Sequence, residues 1–66
     1  MKKHSVRIYN NRKGTYTSVW YESAEQAYTG YVKAIEVIRN TIADGESFSV
    51  MRFNEGYLMT VEDIVK

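Results

Sequence analysis

The strongest constraint on this chain is one central stretch that has the apolar period of an α-helix. Over residues 24–43, apolar residues recur at spacings of three and four, which places them on one side of a helix. These residues are Ala24, Ala27, Tyr28, Tyr31, Ala34, Ile35, Ile38 and Ile42. Ser23, followed three residues later by Gln26, has the capping-box pattern of a helix start, and Gly45 suits a helix end. We therefore predict one amphipathic helix over this stretch.

Strand-like segments lie on both sides of the helix. Residues 5–21 contain two runs of β-branched and aromatic residues around the turn-forming string 10–14, which predicts a β-hairpin. Residues 47–61 repeat the pattern around the three-residue loop 54–56. The tail 62–66 extends the last strand or forms one helical turn, and both remain open. The chain is thus expected to be a single α+β domain of order β-β-α-β-β, an antiparallel sheet with the helix packed on one face.

The register of the second hairpin predicts which of its residues face the helix. A three-residue loop pairs Phe53 with Tyr57, and the core face then carries Met51, Phe53, Tyr57, Met59 and Val61. The outer face carries Phe48, Val50, Arg52, Leu58 and Thr60. Three large apolar residues around one arginine indicate a dimer or partner interface. The alternatives are ordinary exposed hydrophobic residues, or cover by the tail through Ile64 and Val65.

The first hairpin allows two registers, which differ in the face that receives Trp20. Val6 and Ile8 belong to the core face in both. A five-residue loop adds Tyr16 and Trp20 to that face. A four-residue loop instead adds Thr17, Val19 and Tyr21. We favour the longer loop, because a lone tryptophan in a small protein is usually buried.

Basic and aromatic residues on the outer side of the first hairpin are candidates for binding a partner. Arg7 and Tyr9 point outward in either register, and Arg12 and Lys13 lie in the turn. Such residues anchor protein interfaces and also suit nucleic acid, where bases stack on aromatic rings. A third interpretation is an edge hairpin whose charges block aggregation. Residues 1–21 carry a formal charge of +5 and the remainder −4, so the cations are too confined for a broad phosphate footprint and a protein partner is favoured.

Composition excludes several classes of function. The chain has 66 residues, no cysteine and one histidine, His4, so disulfides and thiolate metal sites are absent and we expect no metal or cofactor. No phosphate-binding glycine loop or catalytic constellation occurs, so we expect no enzyme. No apolar run approaches the roughly 18 residues of a membrane span, and a cytoplasmic protein is expected. A chain this short without disulfides needs good packing or self-association, which makes a homodimer a further expectation.

Two resemblances add to this interpretation. Residues 20–28 are similar to the strand-to-helix step of plant AP2-type DNA-binding domains and of the arm-binding domains of phage integrases. Those modules place three strands before the helix and this chain places two, so their DNA contacts are not carried over. In its size, lack of proline and cysteine, six tyrosines and hairpin-helix-hairpin order, the chain resembles small phage-encoded proteins that bind and block a host component, as anti-CRISPR proteins do. We therefore predict a non-enzymatic protein-binding module, an inhibitor of a host protein from a phage or mobile element, with a small nucleic-acid-binding protein as the alternative.

Overall fold

A computed structural model describes residues 2–66 and contains four strands and one helix in the expected order. The elements are β1 (His4–Asn10), β2 (Thr15–Tyr21), α1 (Ala24–Thr41), β3 (Ser47–Asn54) and β4 (Tyr57–Val65). All paired strands are antiparallel, and the sheet order is β2-β1-β3-β4, with the helix in contact with every strand. The α+β fold class is therefore confirmed.

The start of α1 follows the capping pattern seen in the sequence. The Ser23 hydroxyl accepts a hydrogen bond from the Gln26 amide at 3.1 Å. The Gln26 side chain accepts in return from the Glu22 amide at 3.3 Å, one residue earlier than in a standard capping box. Two amide groups that have no partner within the helix are thus satisfied.

The end of α1 comes two residues before the predicted position. The Ile42 amide still donates to the Ile38 carbonyl at 2.8 Å, but the Ile42 backbone is extended. This turn directs the Ile42 side chain into the core, where it is buried. Gly45, at φ +87°, lies in the turn that follows and not at the helix end.

The core is a thin layer between the helix and one face of the sheet. Its buried apolar residues are Val6, Ala27, Tyr31, Ile38, Ile42, Val50 and Ile64. Partly buried residues at its margin are Ile8, Tyr21, Ala34, Ile35 and Phe48. Val50 has no exposed surface at all. Most of the predicted helix stripe therefore packs on the sheet, whereas Tyr28 stays 55% exposed.

The second hairpin has a shorter turn than the sequence suggested. Asn54 pairs with Tyr57, so the loop contains only Glu55 and Gly56, at φ +51° and +87°. Two consecutive residues with positive φ are typical of a type I′ turn, which matches the twist of a hairpin. Phe53 consequently pairs with another residue, and its predicted pairing with Tyr57 is wrong.

The predicted faces of the second hairpin are reversed. Phe48, Val50 and Arg52 share the face that packs against the helix, because they pair with Asn10, Ile8 and Val6 of β1. Met51 and Phe53 face away from the helix, contrary to their predicted place in the core. On β4, a bulge follows the turn: Phe53 pairs with Leu58 and Arg52 with Thr60, so the intervening Met59 has no partner.

The first hairpin has the four-residue loop, which was the less favoured alternative. Asn10 pairs with Thr15. The Asn10 carboxamide oxygen accepts from the Arg12 and Lys13 amides, each at 3.1 Å, and its carbonyl accepts from the Gly14 amide at 2.8 Å. These bonds close the loop after four residues. Val19 and Tyr21 therefore face the helix, and the expected burial of Trp20 is wrong.

The tail continues as strand and does not form a helical turn. Ile64 enters the core at 7% exposure. The Lys66 carbonyl accepts from the Gly45 amide at 2.9 Å, and the Lys66 amide donates to Glu46 at 3.1 Å. The end of β4 is thus attached to the loop between α1 and β3. Within residues 2–66, no helix is long and apolar enough to cross a lipid bilayer.

Candidate functional site

The sheet surface that faces away from the helix, here called the open face, is covered by no element of residues 2–66. Alternation along the strands places every second residue on it, and the pairing aligns these residues in three rows, each read from β2 through β1 and β3 to β4. The first row is Tyr16, Tyr9, Ser49 and Asp63. The second is Ser18, Arg7, Met51 and Val61. The third is Trp20, Ser5, Phe53 and Leu58.

The open face is unusually apolar for a sheet surface in contact with solvent. Four of its large residues are about half exposed, namely Tyr16 at 57%, Trp20 at 51%, Leu58 at 52% and Val61 at 43%. Met51 and Phe53 lie between them and are partly buried. The exposed face of an antiparallel sheet is normally polar. A contiguous apolar surface of this kind is typical of an interaction site.

Arg7 occupies the middle of the open face and is held by aromatic rings. Its guanidinium carbon lies 4.5 Å from the ring centroid of Tyr16 and 5.0 Å from that of Phe53. Its Nε donates to the Ser18 hydroxyl at 3.4 Å, and Tyr9 stacks on Tyr16 with centroids 6.1 Å apart. No carboxylate within residues 2–66 forms an ion pair with Arg7. The arginine is therefore positioned by cation–π contacts, and its charge is not neutralised by a neighbour.

Asp63 is the one acidic residue in the three rows of the open face. Its Oδ1 accepts a 2.6 Å hydrogen bond from the Ser49 hydroxyl, and Ser49 accepts in turn from the Asn11 carboxamide at 3.1 Å. The other oxygen of Asp63 accepts no hydrogen bond from residues 2–66. Strand β3 separates Asp63 from Arg7, so the cation and the anion of this face do not meet within one chain.

The structure brings three of the predicted binding residues together on the open face. Arg7, Tyr9 and Leu58 lie there. Arg12 and Lys13 lie in the turn between β1 and β2, at the edge of this surface. Arg12 is engaged within the chain, because its Nε donates to the carbonyl of the loop before β3 at 3.0 Å.

The other three predicted binding residues lie on the helix side of the sheet, and their assignment to the outer surface is corrected. Val50 is wholly buried and Phe48 is packed against the core. The Arg52 guanidinium lies 5.5 Å from the ring centroid of Tyr28 on the helix. Its Nε is buried and forms no hydrogen bond with residues 2–66. These side chains stabilise the contact between sheet and helix.

Sequence reasoning missed much of the open face because both turns were taken as one residue too long. Tyr16 and Trp20 were placed in the core on the strength of the longer loop. Asn10, whose side chain closes the shorter loop, was the available indication of the correct register. In the second hairpin, Glu55 and Gly56 form the two-residue turn that fixes the pairing.

Other surface features offer less to a ligand. A shallow groove runs beside the first turns of the helix, lined by Tyr21, Ser23, Glu25, Gln26, Thr29, Gly30 and Lys33. It is open to solvent, and its charged groups are one acid and one base. Among residues 2–66, no three His, Asp or Glu side chains cluster in a way that could hold a metal ion. No protein-family model, curated protein or solved structure matches this chain.

Proposed function

We propose that this chain is a non-enzymatic protein-binding module that contacts its partner through the open face. The observation that carries the proposal is the half-exposed apolar surface around Arg7. Arginine, tyrosine and tryptophan dominate the binding energy of protein interfaces, and Arg7, Tyr16 and Trp20 lie side by side here. Because β3 and β4 complete the sheet, the surface is flat and rigid, and it suits a partner with a flat apolar surface of its own.

The charge of the open face favours protein over nucleic acid. The three rows contain one cation, Arg7, and one anion, Asp63, so the surface is close to neutral. A nucleic-acid site needs several cations along the phosphate backbone. An inhibitor from a phage or mobile element that covers a surface of a host protein is the narrower form of the proposal. A chain without cysteine does not depend on an oxidising compartment, so we place its action in the cytoplasm.

Photo-crosslinking tests the proposal at a single position. A photoreactive phenylalanine analogue replaces Tyr16 on the open face in one variant. In the matched control it replaces Tyr57, which is 75% exposed but lies at the turn between β3 and β4. After irradiation in cells that produce the chain, we expect a nuclease-resistant protein adduct at position 16 that is absent or much weaker at position 57. Equal yields at the two positions, or an adduct removed by nuclease, would overturn the proposal.

Nucleic-acid binding is the second candidate, and the stacked aromatic residues support it. Tyr9 and Tyr16 are nearly coplanar at 9°, and Trp20 is exposed beside them, which is an arrangement on which bases can stack. This candidate requires binding to single-stranded oligonucleotides that weakens steeply with salt, with the log–log slope changing by about one for each phosphate contact removed. Arg7→Gln and Lys13→Gln should then each lower the slope, whereas Lys33→Gln on the helix should not.

A further inference from the structure

We propose that the partner of the open face is a second copy of this chain, docked face to face about a twofold axis parallel to the strands. This inference rests on the proposed function, because it names the partner of the same surface. Such a dimer is a β-sandwich with the two helices outside, its sheets about 10 Å apart. Strand β1 of one copy lies over β3 of the other, and β2 lies over β4.

This symmetry places large side chains opposite small ones. Rotation about the axis keeps each row and reverses the order of its residues. In the third row, Phe53 then lies opposite Ser5, and Trp20 lies opposite Leu58. In the first row, Tyr9 lies opposite Ser49. Ser5 and Ser49 are only 5% and 6% exposed, so they form the floors of two depressions between taller neighbours. The open face is therefore complementary in shape to itself, which a twofold interface requires.

The same symmetry pairs the charges that one chain leaves apart. Asp63 of the second copy lies opposite Tyr16, and the Arg7 guanidinium lies over the Tyr16 ring. Each dimer therefore contains two Arg7–Asp63 ion pairs between copies, using the Asp63 oxygen that Ser49 does not occupy. A twofold axis across the strands would instead place Arg7 against Arg7. Charge complementarity thus selects the axis along the strands.

The area of the open face is sufficient for a stable dimer. Four strands about 4.8 Å apart and some seven residues long give a flat area of about 450 Å². Two such faces remove about 900 Å² before the relief of the side chains is counted, which reaches the range of about 1,000 Å² and above for specific interfaces. A chain of 66 residues that has only a thin core on one side of its sheet also gains a second core in this way.

Sedimentation and fluorescence of the natural chain are the first test. We expect sedimentation equilibrium to show a monomer–dimer transition in the micromolar range. Emission of Trp20, the single tryptophan, should shift to shorter wavelength over the same concentrations, because the interface removes its ring from water. A monomer at every concentration overturns this inference. The proposed function survives that result if the analogue at position 16 captures a different protein, and fails as well if it captures none.

Charge reversal tests the orientation of the dimer. We expect Arg7→Asp and Asp63→Arg each to raise the dimer dissociation constant at least tenfold. A mixture of the two variants should associate again, because both ion pairs are then restored in the heterodimer with their signs exchanged. Lys33→Asp and Glu36→Arg, on the exposed side of the helix, are the matched controls and should leave the dimer unchanged.

A dimer that tolerates both reversals associates by another surface, such as the edges of β2 or β4, and overturns the proposal. Circular dichroism of each variant shows whether it is folded. If a reversal variant unfolds, Arg7→Met and Asp63→Asn replace the pair, and each should still weaken the dimer. Unchanged dissociation constants for these two variants would likewise overturn it.

Discussion

Gly30 lies inside the helix, where glycine is normally unfavourable, and its replacement by alanine tests the packing of the helix on the sheet. In an exposed helix interior, Gly→Ala raises the free energy of unfolding by about 1 kcal/mol. A Cβ at position 30 would lie 2.2 Å from Oη and 2.5 Å from Cζ of Tyr21. The tyrosine ring must therefore move before any side chain fits there.

The two effects can be set against each other. Tyr21 is partly buried at the margin of the core, and forcing an extra methyl group into packed surroundings costs about 1–3 kcal/mol. This penalty exceeds the propensity gain, so we expect Gly30→Ala to lower the free energy of unfolding by about 1 kcal/mol. In a Tyr21→Ala background the obstacle is gone, and the same substitution should raise it by about 1 kcal/mol.

Urea denaturation of the natural chain, both single variants and the double variant measures the coupling. Sodium sulfate added to all four keeps the weakest variant folded at the start of the titration. The change of sign between backgrounds corresponds to a coupling energy of about 2 kcal/mol, which is within the range of residues in contact. If Gly30→Ala stabilises both backgrounds equally, Tyr21 does not pack against Gly30 and the reasoning is refuted.

Three further substitutions test the fold. Val50→Ala should lower the free energy of unfolding by about 2 kcal/mol in urea titrations, because two fully buried methyl groups are lost, whereas Val61→Ala on the open face should cost the isolated monomer less than about 0.5 kcal/mol; equal losses would contradict the corrected faces. Glu55→Asn should raise the thermal midpoint, since asparagine tolerates positive φ at the first position of the Glu55–Gly56 turn and the exposed ion pair with Lys3 is worth at most about 1 kcal/mol; a lower midpoint would argue against a type I′ turn. Ser23→Ala removes the helix cap and should cost about 1 kcal/mol by the same titration, while Ser23→Asp should cost little because aspartate also caps.

Local physics determined the elements, and the sequence therefore predicted them. The period of the helix, the Ser23 cap and the positions of both turns depend on residues within a few positions of one another. Such interactions are the same wherever the segment lies in the fold. The element order and the α+β class follow directly from them. Arg7 and Tyr9 were placed on the correct face for the same reason, because they alternate with the apolar Val6 and Ile8.

The tertiary structure decided which sheet face became the core, and with it most of the candidate site. Side chains in a strand alternate with a period of two, so a turn shortened by one residue changes which residues lie opposite one another. The side chain of Asn10 and the positive φ values at Glu55 and Gly56 set those turns. In β3 both faces carry large apolar residues, so hydrophobicity alone could not choose between Val50 and Phe53. The choice was made by the pairing of β3 with β1, two strands far apart in sequence, and no local pattern reports such a contact.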